Sequence, residues 1–403
     1  WLKQPFSLVT SRAPHLFSIF RSLGTLGPAR SCEDPMWCYL LLLPLVSTAE
    51  QCDGNVLLQH AQSGPTALVE DEVSKSLCSN GRLMPNFYIL GSAKAGSSTL
   101  GKVLLRAGIT SSSYVVDGER KKESQLLIKH HFFEEFEGAD LTEAAAKWRF
   151  AQKWYELFPQ CSEQNVAKFL VPDSSAVGIA EMTPYHLTLV KPQDLDMTEV
   201  VGPLRVGGGG AYQGFDFPPV LHHIYGQSAP KVRFCLTMRE PISRTQSELY
   251  MIMRQGGLKD PAQNLTDMLE GYISSGKPSR LLWTSFYGQH LRGWFSSWNA
   301  SQFLVLPYKL MSTKPVAVCR SVMAHLQTKL NCADFERHGN SAKHPTLEED
   351  VPQALLQKAN EALEPQLRLL VQVLLDAEKV GAVLPVLETR TFTGVRDWIL
   401  NGW

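Results

Sequence analysis

Lys94 stands in the segment Asn86-Phe87-Tyr88-Ile89-Leu90-Gly91-Ser92-Ala93-Lys94-Ala95-Gly96-Ser97-Ser98-Thr99-Leu100, where an apolar run ends in a Gly/Ser loop and a helix opens. Such a strand, turn and helix start aims several backbone N–H groups, the positive end of the helix dipole and one lysine at a single anion. The chemistry this spacing offers is phosphate binding. In the ATP-type loop G-x-x-x-x-G-K-[ST] the lysine follows the second glycine directly and the hydroxyl sits on Mg²⁺. Here Lys94 comes two residues before Gly96, which weakens a metal-dependent NTPase reading. The plain alternative is a tight connection between strand and helix.

A second segment adds cations. Lys231-Val232-Arg233-Phe234-Cys235-Leu236-Thr237-Met238 is a short apolar run with strand character, followed by Arg239-Glu240-Pro241-Ile242-Ser243-Arg244-Thr245-Gln246-Ser247-Glu248-Leu249-Tyr250. Arg239 occupies the strand end where an NTPase commonly places an Mg²⁺-holding Asp. Pro241 fits a helix start, and on that helix Arg244 and Ser247 share a face. An arginine and a hydroxyl so placed would grip a second phosphate without metal. The alternative is that Arg239 and Arg244 are solvated or paired with Glu240 and Glu248.

Together the two segments resemble the donor-binding signature of sulfotransferases that use 3′-phosphoadenosine 5′-phosphosulfate (PAPS). Lys94, Gly96, Ser97, Ser98 and Leu100 match the 5′-phosphosulfate loop K-x-G-[TS]-[TSR]-x-L. Arg239, Glu240, Pro241, Arg244, Ser247 and Tyr250 match the 3′-phosphate segment R-[DEN]-P-x-x-R-x-x-S-x-Y. Further likenesses point to the Golgi glycosaminoglycan branch, which includes the heparan sulfate and chondroitin sulfotransferases. Glu181-Met182-Thr183-Pro184-Tyr185 resembles its acceptor-side E-K-[ST]-P-x-Y segment. Phe286 to Trp294 resembles its Y-x-x-x-L-x-x-W helix, Gln302 to Tyr308 the strand after it, and His344-Pro345 the start of its C-terminal end. The resemblance spans residues 84–403.

The resemblance implies transfer of a sulfuryl group from PAPS to a hydroxyl of a carbohydrate, glycosaminoglycan-like acceptor, with PAP as product and no metal. It implies donor contacts from Lys94, Ala95, Gly96, Ser97, Ser98, Arg239 and Ser247, and acceptor contacts from Lys122, His131, Thr183, Pro184 and Tyr185. The family's K-E-x-H-F-F segment supplies the base. Lys121-Lys122-Glu123-Ser124 and His131-Phe132-Phe133 contain its parts with extra residues between. Anchoring on Lys122-Glu123 makes Glu123 the base, whereas anchoring on His131-Phe132-Phe133 puts Lys129 in its place and leaves His130 or His131 as substitute.

Two departures stand out. Met182 replaces the lysine of E-K-[ST]-P, removing a charge from the acceptor side. The donor-covering K-G-R-x-H-P loop of the heparan sulfate enzymes is here Asn340-Ser341-Ala342-Lys343-His344-Pro345, without its two cations, and Arg337, His338 and Lys343 stand near to replace them. A non-catalytic glycan- or nucleotide-binding relative and a P-loop small-molecule kinase are the competing readings.

The elements that must position these residues belong to an α/β, P-loop-like, three-layer fold with a central, mainly parallel sheet flanked by helices. Phe87–Gly91, Arg233–Met238 and Phe303–Leu306 are the expected strands. Helical patterns run over roughly 98–107, 140–157, 242–254, 286–298, 315–329 and 352–376. Val206-Gly207-Gly208-Gly209-Gly210-Ala211 reads as a flexible insertion. Residues 84–403 form the catalytic domain, 50–83 a polar stem or linker, 36–49 a signal peptide or short signal anchor, and 1–35 an N-terminal extension of open status. The apolar run from Met36 to Ala49, with small residues at Ser47 and Ala49, matches a secretory cleavage pattern. It is short for a membrane span, and anchoring through it is the membrane contact the sequence offers. A Golgi-lumen location in the secretory pathway is expected.

With 403 residues, 44% hydrophobic, the chain is long enough for a large core, and its formal net charge of zero offers no global attraction to polyanions. Any grip on an acidic glycan is local, with Lys121, Lys122, Lys129, His130 and His131 as one patch; the bland reading of that run is a solvated helix face. No nucleic-acid motif is evident. Cys319 and Cys332 flank a short helical segment and are the first expected disulfide, with Cys52 to Cys78 next. Cys235 lies mid-strand and reads as a buried thiol. The absence of a C-x-x-C pair speaks against structural zinc. Sequons at Asn264 and Asn299 agree with lumenal passage.

Overall fold

The computed structural model describes residues 78–112, 143–169, 178–182, 187, 216–336 and 344–403. All lie within one compact unit, Gln62–Trp403. Glu123, Lys122, His131, Thr183, Pro184 and Tyr185, together with Lys121, Lys129 and His130, fall outside the described residues, as do the Gly-rich run, the 36–49 segment and Cys52.

A small antiparallel hairpin, β1 (Cys78–Ser79) with β2 (Arg82–Leu83), comes first. The strands that follow are β3 (Phe87–Gly91), β4 (Thr110–Ser111), β5 (Ile179–Glu181), β6 (Arg233–Met238) and β7 (Phe303–Pro307). These five form one sheet in the order β4-β5-β3-β6-β7. Every neighbouring pair in it is parallel. Neighbouring side chains of a strand point to opposite faces, and every residue of β3 and β7 is buried, so both faces are covered, as a parallel sheet requires. The longer helices of the described residues are α1 (Ser97–Arg106), α2 (Ala144–Glu156), α3 (Phe217–Tyr225), α4 (Pro241–Arg254), α5 (Pro261–Ser275), α6 (Tyr287–Phe295), α7 (Pro315–Leu326), α8 (Gln353–Lys379) and α9 (Phe392–Gly402). The α/β fold expected from the sequence is the one observed.

The core is continuous from α1 through the sheet to α6 and α9. At its centre Phe234 of β6 stacks on Phe303 of β7 with ring centroids 4.7 Å apart and meets the Trp298 ring edge-on at the same distance. A second apolar cluster joins α4, α5 and the first half of α8 through Ile242, Leu249, Leu265, Leu269, Leu356 and Leu363. This cluster fixes the helix that follows Arg239.

Cysteine pairing follows expectation at one place and departs from it at another. Cys319 and Cys332 are bonded, and Cys235 is a buried free thiol. Cys78, however, pairs with Cys161 rather than Cys52. The reason is local packing. Leu83 N donates to the Pro159 carbonyl at 2.9 Å, and Cys161 N to the Gly81 carbonyl at 2.8 Å, which lays the segment after α2 against the hairpin and brings the two sulfurs together. Among the described residues no helix is long and apolar enough to cross a membrane.

Candidate active site

The site lies at the carboxyl ends of β3, β6 and β7, the edge at which open parallel sheets bind ligands. Gly91 ends β3 and is stitched to β6, because Thr237 Oγ1 donates to the Gly91 carbonyl at 2.9 Å and Ser92 N donates to the Thr237 carbonyl at 2.7 Å. The loop then turns back on itself, with Ala95 N donating to Ser92 O at 3.1 Å. Lys94 and Gly96 both take left-handed backbone conformations, at φ 67° and 94°.

Gly96 is required twice over. Its φ is one that a side chain resists, and a Cβ there would collide with the Met311 methyl and lie 2.9 Å from the Tyr308 ring. Gly96 is also the N-cap of α1 and has no side chain to accept from the helix's first N–H groups. The positive end of that helix therefore opens at the loop beside Lys94. Ala95 and Ser97 are buried, while Lys94 and Ser98 are half-buried.

Arg239 follows β6 directly. Its Nη1 donates to the Lys94 carbonyl at 3.4 Å, and its guanidinium lies 5.1 Å from the centroid of the Tyr308 ring. Its own backbone is clamped by one phenol: Tyr287 Oη donates to Arg239 O at 2.9 Å and accepts from Arg239 N at 3.3 Å. Burial pushes that phenol above its ordinary pKa, the Arg244 charge pulling the other way. The structure thus brings Lys94 through Ser98 and Arg239 together. Ser247 is half-buried on α4, the helix that starts two residues after Arg239.

Arg244 does not share this role. The phosphate grip expected of it is corrected by its burial, since it is fully enclosed and its guanidinium is committed within the protein. It pairs with Glu248, donates to Ser285 Oγ and the Leu281 carbonyl, and reaches the Ala93 carbonyl at 3.4 Å. The pairing alternative holds for this residue. Glu240 is likewise occupied, its carboxylate accepting from Ile242 N at 2.9 Å and from Ser243 N as the N-cap of α4.

The segment after His344 docks on α4. Gln246 Nε2 donates to Asp350 at 2.7 Å and to the Pro345 and Thr346 carbonyls at 3.2 Å, Tyr250 Oη donates to Asp350 at 2.9 Å, and the Tyr250 and His344 rings stack 5.4 Å apart. Desolvation, followed by the Asp350 bond and charge, pushes the Tyr250 phenol to about 12. On the far side of β3, Glu181 is fully buried and accepts from Ser112 Oγ.

Of the two sequons, Asn299 is exposed and caps a short 3₁₀ turn, its Oδ1 accepting from Ser301. Asn264 is half-buried in α5, with Nδ2 donating to the Asp260 carbonyl at 2.6 Å. Met311 joins the site without any motif that marks it, and Tyr308 joins it from the end of the Gln302–Tyr308 segment, which the sequence singles out as a strand and not for a role at the site. The signal the sequence carries for them is position, directly after β7 at the same sheet edge.

No protein-family model matches this chain, and no curated protein matches it. Among solved structures, a sulfotransferase from Alicyclobacillus acidocaldarius is similar at 13% identity and a TM-score of 0.39, covering 72% of this chain and 95% of that one.

Proposed function

We propose that this protein transfers a sulfuryl group from PAPS to a hydroxyl of a carbohydrate acceptor, a polysaccharide or glycan chain, within the secretory pathway. The reading rests on one observation, the Arg239 guanidinium bonded to the Lys94 carbonyl of the loop that opens α1. Two cations and an uncapped helix start at one sheet edge suit a ligand with two separated phosphate groups.

PAPS supplies the sulfuryl group and a stable leaving group. Lys94, the backbone amides of residues 95–98 and the hydroxyls of Ser97 and Ser98 stabilise charge that develops on the 5′ side. Arg239 and Ser247 hold the 3′-phosphate, and the segment after His344 closes over α4 beside them. Glu123 takes the proton of the acceptor hydroxyl as its oxygen bonds to sulfur and the bridging S–O bond breaks; His130 or His131 is the substitute. The disulfides Cys78–Cys161 and Cys319–Cys332 agree with a lumenal location, because such bonds persist in oxidising compartments.

Labelled PAPS offered with a panel of desulfated glycans tests the activity. Label should pass to at least one glycan, and Glu123→Ala should lower turnover by roughly 10²–10⁴-fold while leaving PAP binding intact. Transfer to none of them, with PAP still bound, would favour a non-catalytic relative.

A further inference from the structure

A short helical turn, Leu347–Asp350, follows Pro345 and is closed by a capping box in which Thr346 and Glu349 each satisfy the other's backbone. Asp350 is its last residue, and α4 takes both oxygens of the carboxylate. Gln246 Nε2 donates to one at 2.7 Å, and Tyr250 Oη donates to the other at 2.9 Å. The two donors stand four residues apart on the helix, so one carboxylate spans them. Gln246 also reaches the Pro345 and Thr346 carbonyls at 3.2 Å and is only 2% exposed. Its amide nitrogen is committed to residues 345–350.

The helix period places what this clamp holds. Ser247 precedes Tyr250 by three residues, so the two share a face of α4, and the His344 ring stacks on Tyr250 with centroids 5.4 Å apart. Asp350 thereby lays His344 and Pro345 along the stripe that carries Ser247. Downstream the chain has a different anchor, because Val351 is buried in the apolar cluster with Ile242, Leu265 and Leu356. Loss of the carboxylate should free the segment before Val351 and leave the core in place.

We propose that Asp350 is a positioning residue for the donor site, which through Gln246 and Tyr250 fixes His344 and Pro345 beside Ser247 and so shapes the pocket that receives the 3′-phosphate. The inference rests on the proposed use of Ser247 as a donor contact. A carboxylate only accepts hydrogen bonds and repels a phosphate, so Asp350 holds the segment and does not touch the ligand.

PAP and adenosine 5′-phosphate, which lacks the 3′-phosphate, are titrated into the full chain by calorimetry. Asp350→Ala should weaken PAP by about three- to tenfold. Adenosine 5′-phosphate should bind it and the wild type alike, a selectivity that a general loss of structure would not produce. Tyr250→Phe should weaken PAP in the wild type and have no further effect in Asp350→Ala, since the bond it removes is already gone. Thermal melting checks folding, and if Asp350→Ala does not fold, Tyr250→Phe alone carries the test. Unchanged PAP affinity in the folded variants, or an equal loss for both nucleotides, would overturn the positioning role while leaving the donor site standing. A wild type that does not prefer PAP over adenosine 5′-phosphate would remove the donor site, and this role with it.

Discussion

The Arg239 guanidinium donates to the Lys94 carbonyl, 145 residues away in sequence and 3.4 Å away in space. Two strands bring this about. β3 and β6 are parallel neighbours, so the loop after one and the residue after the other emerge at the same edge. The Tyr308 ring, delivered by the next strand, lies beneath the guanidinium and against Gly96. The loop, the arginine and the aromatic platform therefore form one assembly rather than three separate features.

Gly96→Ala tests how tightly that assembly is built. The substitution demands a left-handed alanine and pushes into Met311 and Tyr308. A cost of about 1–3 kcal/mol is expected from the backbone conformation, with the collision added to it. Urea denaturation should show the loss, and PAP affinity should fall with it. A variant as stable as the wild type would mean that the loop relaxes freely.

The Arg244–Glu248 pair is the structural counterpart of Arg239. Both side chains are almost wholly enclosed, at 0% and 5% exposure. Arg244→Met should leave a buried carboxylate uncompensated, at about 3–5 kcal/mol. Replacing both residues with apolar ones should recover much of that loss in equilibrium unfolding. Recovery of stability without recovery of PAP binding is expected, because the Ala93 carbonyl still lacks its donor.

Two buried histidines set an acid limit. Burial lowers the pKa of His290, and burial followed by the Arg233 charge lowers that of His325, each from 6.5 to about 4. Between those values the unfolded chain binds more protons than the folded one, so stability rises with pH there. The loss begins as pH falls below about 6.5 and levels off below about 4, on the order of 3 kcal/mol for each residue. Denaturation midpoints measured from pH 4 to pH 7 should show this slope, and His325→Gln should reduce it. A slope unchanged in that variant would remove His325 from the account.

Strands β3, β6 and β7 are legible in the sequence because each is an apolar run of five or six residues bounded by turn residues. β4 and β5 have two and three residues, too few for any periodicity to register. α3 is hidden by Pro218 and Pro219, which sit at its first turn where proline is tolerated. α5 carries a readable start in Asp260 and Pro261, the Asp260 carboxylate accepting from Gln263 N, yet its apolar face is thin. The chemistry of Lys94 and Arg239 can be read from residue type, but the enclosure of Arg244 cannot, because burial depends on Leu281 and Ser285 arriving from another segment. Cys78 finds Cys161 through backbone pairing that no spacing rule encodes.

Titration of PAP into the chain in EDTA, with the wild type and Arg239→Ala side by side, tests the central claim most directly. The wild type should bind PAP without metal and in preference to ATP–Mg²⁺. The variant should bind about 10- to 100-fold more weakly, as the loss of a charge-assisted phosphate contact requires. Equal affinity in the two proteins, or a preference for ATP–Mg²⁺, would contradict the account.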